Sequence, residues 1–220
     1  MKKLAIVLIL SCTCYLSIAQ TNLDANPVKK AYYVSSSEFI FSQGNVEDPL
    51  NNTKDIVRFS GFLHLQEELH YNFNDKIGVF TGLALRNIGI ITDINDSVKI
   101  KQRVYTLGVP VGFKVGNMNG NNLMLGFEAE LALNYKQKVF VNSSKQKANI
   151  WFSDRTEIFL PSLFAQFTSK SGVYVKFKYY LTDFLVENKQ KIDVTGVSYN
   201  PTKSSMAYIS IGYTIAGSKM

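Results

Sequence analysis

Apolar and polar side chains alternate one by one along most of this chain. The clearest run is Val57 to Phe73. Its odd positions read Val57, Phe59, Gly61, Leu63, Leu65, Glu67, Leu69, Tyr71 and Phe73, and its even positions read Arg58, Ser60, Phe62, His64, Gln66, Glu68, His70 and Asn72. One oily face and one polar face at period two mark a β-strand, because successive side chains of an extended chain point to opposite sides. Helical spacing fits only Phe62, Leu65 and Leu69, and it does not recur. The two-residue period returns in Tyr105 to Val115, Leu123 to Tyr135, Val173 to Leu181 and Ala207 to Ile215, and more weakly in Glu38 to Gln43, Ile77 to Asn87 and Ile158 to Phe167. The pattern predicts an all-β chain of about eight strands.

The connections alternate in length. Asn74-Asp75, Gly116 to Asn122 and Ser169 to Gly172 are short and rich in residues that accept hairpin-turn geometry. Gly44 to Asp55, Gly89 to Lys101, Phe140 to Arg155 and Val186 to Lys203 are longer, polar and predicted to be loops. Short turns on one side and long loops on the other are the asymmetry of an eight-stranded antiparallel up-and-down transmembrane β-barrel.

A soluble lipocalin-like barrel alternates too, with its apolar face turned inward. The polar face here carries both signs of charge at mid-strand: Arg58, Glu68, Arg86, Lys114, Glu128, Glu130, Lys176 and Lys178. Inside a narrow barrel such groups would pair as a lumen network, since buried charges must be paired. Aromatics recur toward both ends of the oily face, Phe59, Tyr105, Tyr135 and Phe159 at one end and Tyr71, Phe73, Phe113, Phe167 and Tyr213 at the other. Membrane barrels place aromatic girdles there. Small residues on the polar face, such as Gly108, Gly112 and Gly126, leave room in a crowded interior. Glu67 falls on the oily face, where a bulge could swing it inward, and Pro110 and Pro161 call for bulges or bends.

The first residues change the setting. Lys2 and Lys3 precede an apolar run from Leu4 to Leu10, and Ser17-Ile18-Ala19 supplies small residues before Gln20. This predicts a signal peptide over 1–19, an N-terminal periplasmic segment over 20–36, and the eight-stranded outer-membrane barrel itself over 37–216. Both cysteines, Cys12 and Cys14, lie in the leader. Lipidation of Cys12 is the alternative to cleavage after Ala19. Removing two lysines from a net charge of +7 leaves +5, spread along the chain, which argues against a nucleic-acid partner.

Catalytic and metal-binding motifs are missing from the sequence, and no cofactor is expected. His64 and His70 are six residues apart on one strand, about 20 Å along it. A Ser–His64–Glu68 arrangement would be the only opening for lipid-modifying chemistry. Trp151 reads as a loop aromatic or an interfacial anchor.

The Ala19-Gln20 junction, Leu107-Gly108-Val109-Pro110, Leu160-Pro161-Ser162 and Tyr208-Ile209-Ser210-Ile211-Gly212-Tyr213 resemble small outer-membrane barrels of Bacteroidota, grouped as PorT-like or as the outer-membrane-protein β-barrel domain. The resemblance implies eight strands and residence in the cell outer membrane, and fixes no activity. The chain differs from that family in running past its last aromatic, through Ala216 to Met220. The expectation is a non-enzymatic outer-membrane barrel, in contact with outer-membrane lipids. Its external loops would serve adhesion, envelope organisation or a secretion partner. A soluble periplasmic lipocalin-like binder of an apolar ligand and an outer-membrane lipid-modifying enzyme are the alternatives.

Overall fold

A computed structural model describes residues 29–141, 144–190, 193–194 and 197–219. The signal peptide expected over 1–19 and the start of the segment expected to follow it lie outside the described residues. The strands are β1 (Ala31–Glu47), β2 (Lys54–Ile56), β3 (Arg58–Ser60), β4 (Leu65–Asn72), β5 (Ile77–Asn95), β6 (Val98–Gly116), β7 (Asn122–Val141), β8 (Ser144–Trp151), β9 (Phe159–Thr168), β10 (Val173–Tyr180), β11 (Asp193–Val194), β12 (Val197–Ser198) and β13 (Lys203–Lys219).

Every pairing is antiparallel, and the ring closes where β13 meets β1, from Glu47↔Lys203 to Tyr32↔Lys219. With β3 and β4 sharing one position, the order β1, β3/β4, β5, β6, β7, β9, β10, β13 gives eight staves. Closure leaves no free edge, so backbone polar groups are paired within the sheet, as a hydrocarbon setting demands. β1 starts at Ala31, so residues 31–36, expected to precede the barrel, are part of its wall.

The oily face is outside. Val175 is 48% exposed and Val109 45%, whereas Glu128 and Lys178 are fully buried. This is the reverse of a soluble ligand-binding barrel, whose polar face meets water. On β6 the outward apolar run from Val115 to Tyr105 covers eleven residues, ten steps or about 25 Å of membrane at ~3.3 Å per residue and ~40° tilt.

Beyond this belt the chemistry of β6 inverts while its geometry does not, whereas β7 carries an extra residue opposite Tyr105–Thr106, so that Tyr135, expected on the outer girdle, turns inward instead. Along β6 the odd positions stay outward, but after Tyr105 they read Arg103, Lys101 and Lys99, and the inward positions read Val104, Gln102, Ile100 and Val98. Ile88, Ile90 and Ile94 of β5 and Val139 of β7 join them around Phe184, Leu185 and Tyr199. Where the wall leaves the bilayer, its outer face meets water and its inner face makes an ordinary apolar core. Hence Gly89 to Lys101 is strand over most of its length, with β5 and β6 turning at Asp96-Ser97, and Phe140 to Arg155 contains β8. These stretches were expected to be loops, because polar outward residues interrupt the oily face. Ile100 is wholly buried in this cap. Ile100→Val should cost about 1 kcal/mol and accelerate proteolytic nicking of the β5–β6 hairpin at fixed protease concentration.

The stave expected to run unbroken from Val57 to Phe73 is split. Between the pairs Ile40↔Ser60 and Ser37↔Leu65 the chain takes five steps against three on β1, two residues more than the ladder can hold. The surplus is absorbed at Gly61–His64, where Leu63 adopts φ 59° and Phe62 is thrown outward. The structure shows no register shift at Glu67, which stays on the outer face with Ser35 Oγ donating to it at 2.7 Å. Pro110 suspends two pairs of the β5–β6 ladder without a shift. The carbonyl of Pro161 accepts from the Leu181 amide at 2.8 Å, which puts its missing N–H on the β10 side, one residue past that ladder's end. Neither proline needs the bulge expected of it.

Candidate functional site: an ionic plug in the lumen

Even-numbered residues of β5 and β10, and of β7 as far as Ala132, face the axis, and period two brings Arg86, Glu128, Glu130, Lys176 and Lys178 to one level. Arg86 sits at the centre. Its Nε donates to Glu38 Oε1 at 2.9 Å, and its two terminal nitrogens donate to Glu128 and to Gln66 Oε1. Lys178 Nζ donates to Glu128 Oε2 at 2.6 Å and Glu130 Oε1 at 2.7 Å. Lys176 lies 3.4 Å from Glu38 and donates to Gln66 at 3.1 Å. Three carboxylates, those of Glu38, Glu128 and Glu130, thus meet three cations, and the formal charges cancel.

The remaining lone pairs are also filled. Thr106 donates to Glu130 at 2.5 Å, Tyr180 to Glu130 at 2.9 Å, and Ser210 to Glu38 at 2.5 Å. Buried ions need such extra partners to offset desolvation. Glycines make the room: a Cβ on Gly108 would overlap the Glu128 carboxylate, and one on Gly126 would meet the Phe164 ring at 2.6 Å.

The other expected members lie apart. Glu68 joins through Gln66, which donates to it at 2.5 Å, and also accepts from His70 at 3.0 Å. Lys114 is nearer the short-turn end, donating to Tyr32 and Asn72, both at 2.8 Å. Arg58 is at the opposite end, on the split stave. The sequence reading passed over Glu38 and Gln66. Both lie on the polar face of their strands, which was the available signal, but Glu38 opened a weakly alternating strand.

At the split, side chains stand in for the missing backbone ladder. Arg58 donates to the Asn87 carbonyl at 3.1 Å and to its side-chain oxygen at 2.9 Å, and Ser60 Oγ donates to the same carbonyl at 3.2 Å. His64 Nδ1 accepts from the Asn87 amide at 3.4 Å, and its Nε2 is 2.8 Å from Ser60 Oγ. With Nδ1 accepting, the ring proton is on Nε2 and points at Ser60. His64 is therefore no base for that hydroxyl, and Glu68 orients His70 instead of His64. The dyad is a structural bracket.

Below the lumen plug, Phe80, Met124 and Phe164 form an apolar cluster, and above it stands the inverted core. Trp151 is 66% exposed and paired with Asn134, which is paired with Tyr105. It therefore sits level with the upper aromatic girdle, the place for an interfacial anchor.

A closed antiparallel ring, an outward apolar belt and a polar, filled interior make this an integral barrel of the outer membrane. No protein-family model matches the chain, and no curated protein matches it. Among solved structures it is similar to Ail, the attachment invasion locus protein of Yersinia pestis, at 11% identity over 85% of this chain and 99% of that one, TM-score 0.38. It is also similar to OprG from Pseudomonas aeruginosa (13% identity, 86% and 98%, TM-score 0.38) and to Neisserial surface protein A (10% identity, 84% and 97%, TM-score 0.37).

Proposed function

We propose that this barrel works without catalysis, by presenting its outer rim for adhesion, envelope organisation or a secretion partner. A place among PorT-like barrels of Bacteroidota is part of the same reading. Its main support is the closed lumen: an ionic plug between two apolar layers leaves no aqueous path for a solute. What remains available to a partner is the rim, where Leu50 and Phe152 are each more than 60% exposed. The Ser60–His64 geometry supports a non-enzymatic role, since it gives the serine no base.

Two measurements test this. Reconstituted in planar bilayers, the protein should give no steady conductance. On intact cells, added protease should cut within 140–155 and 186–203 while the short turns at 73–76 and 169–172 stay whole. A conducting wild-type barrel, or cleavage at the short turns alone, would overturn the proposal.

A further inference from the structure

The split stave opens a cavity of 260 Å³ through the outer wall just above the apolar belt. It is lined by Arg58, Ser60, Asn87, Lys101, Arg103, Lys136 and Lys138, with Phe59 and Phe62 at its lip. Five of its side chains are cationic, and no acidic side chain lines it among the described residues.

The register makes the charge concentration systematic. Lys101 faces Lys138 on β7, which faces Lys147 on β8, so three ammonium groups lie in one row across the sheet. Arg103 and Lys136 form the row beneath, both over the Tyr105 ring at 5.8 and 5.0 Å. Like charges directly opposite each other destabilise a sheet unless an anion lies between them. The Lys138 ammonium is held below its ordinary value by partial desolvation and by Lys145, Arg103, Lys147 and Lys101 around it. Lys101 is four residues beyond Tyr105, or about 10 Å above the girdle. That is headgroup height, on the same outer face that meets the acyl chains below.

We propose that this cavity binds the phosphorylated headgroup of an outer-leaflet lipid. Arg58 stands at its back, Lys101 and Lys138 at its mouth, and the acyl chains run down over Phe59, Phe62 and Leu107. The ligand is assigned as a lipid, and not as a free anion, because the cationic rows continue directly into the lipid-facing wall. The site does not depend on what the rim recognises.

The test uses full-length barrel in phosphatidylcholine nanodiscs doped with bis-phosphorylated lipid A, with bound lipid counted by native mass spectrometry. Lys101→Gln/Lys138→Gln should weaken capture about 30-fold, since each surface cation near a membrane contributes to anionic-lipid binding. Lys76→Gln/Lys170→Gln, on the opposite rim, should leave it unchanged. Heat-modifiable gel mobility confirms that each variant is folded, and capture by wild type should weaken as salt rises. Equal capture of dephosphorylated lipid A overturns the proposal, as does undiminished capture by the folded Lys101/Lys138 variant. Displacement of the lipid by an equal concentration of inorganic phosphate overturns the lipid assignment.

Discussion

Replacing Arg86 by methionine should lower the unfolding free energy by about 3–5 kcal/mol, the usual cost of removing one partner from a buried ion pair. Arg86 is 1% exposed and serves Glu38, Glu128 and Gln66 at once. Without it, three carboxylates face two ammonium groups in a closed lumen. Arg86→Lys should recover little of the loss, because one ammonium on a flexible stem cannot fill a three-way fork. Arg86→Met/Glu128→Leu restores the balance of charge and should cost less than the sum of its parts, with a coupling of about 0.5–3 kcal/mol. Urea unfolding in phospholipid vesicles, followed by heat-modifiable mobility, measures these three variants, the Glu128→Leu single variant and wild type, five proteins in all. An Arg86→Met barrel within 1 kcal/mol of wild type would mean that water, not Arg86, compensates the lumen carboxylates.

The second large effect concerns the outer face. Val109 is outward and lies near the middle of the belt on β6. Val109→Arg should cost about 2–4 kcal/mol in the same assay, the penalty for a cationic side chain at the midplane of a membrane barrel. Arg103 is on the same strand and the same side, six residues along, so Arg103→Val tests the boundary. It should leave global stability within about 0.5 kcal/mol of wild type, as surface substitutions do. If Val109→Arg were tolerated and Arg103→Val were stabilising, the belt would have to lie higher on the barrel.

Glu67 shows how the interior and the belt differ in tolerance. It stays on the lipid-facing side with one serine hydroxyl for company, whereas Glu128 and Glu130 each have a cation. A lone carboxylate on the lipid-facing wall carries a modest penalty, acidic groups there being penalised less than basic ones. A lone carboxylate in the sealed lumen would cost more, since a buried charge without a partner is strongly destabilising.

Period-two alternation was enough to place the bilayer-spanning part of the strands, to assign Val109 and Val175 to one face and Glu128 and Lys176 to the other, and to indicate which face meets lipid, but it missed the strand extensions above the belt and the break at Gly61–His64. Those are local properties, since neighbouring side chains of an extended chain must diverge whatever the rest of the molecule does. Which ions meet was decided only by tertiary structure. Arg86 reaches Glu38 across 48 positions of sequence and Ser210 reaches Glu38 across 172. The stagger between staves sets those meetings, and it is fixed jointly by every hairpin register and by closure of β13 onto β1. Tertiary structure likewise decided that Ile100 faces a core while Val109, on the other side of the same strand, faces lipid. Along β6 the alternation is identical on both sides of Tyr105, and there only the height of the wall relative to the bilayer makes the apolar side the outer one below that residue and the inner one above it.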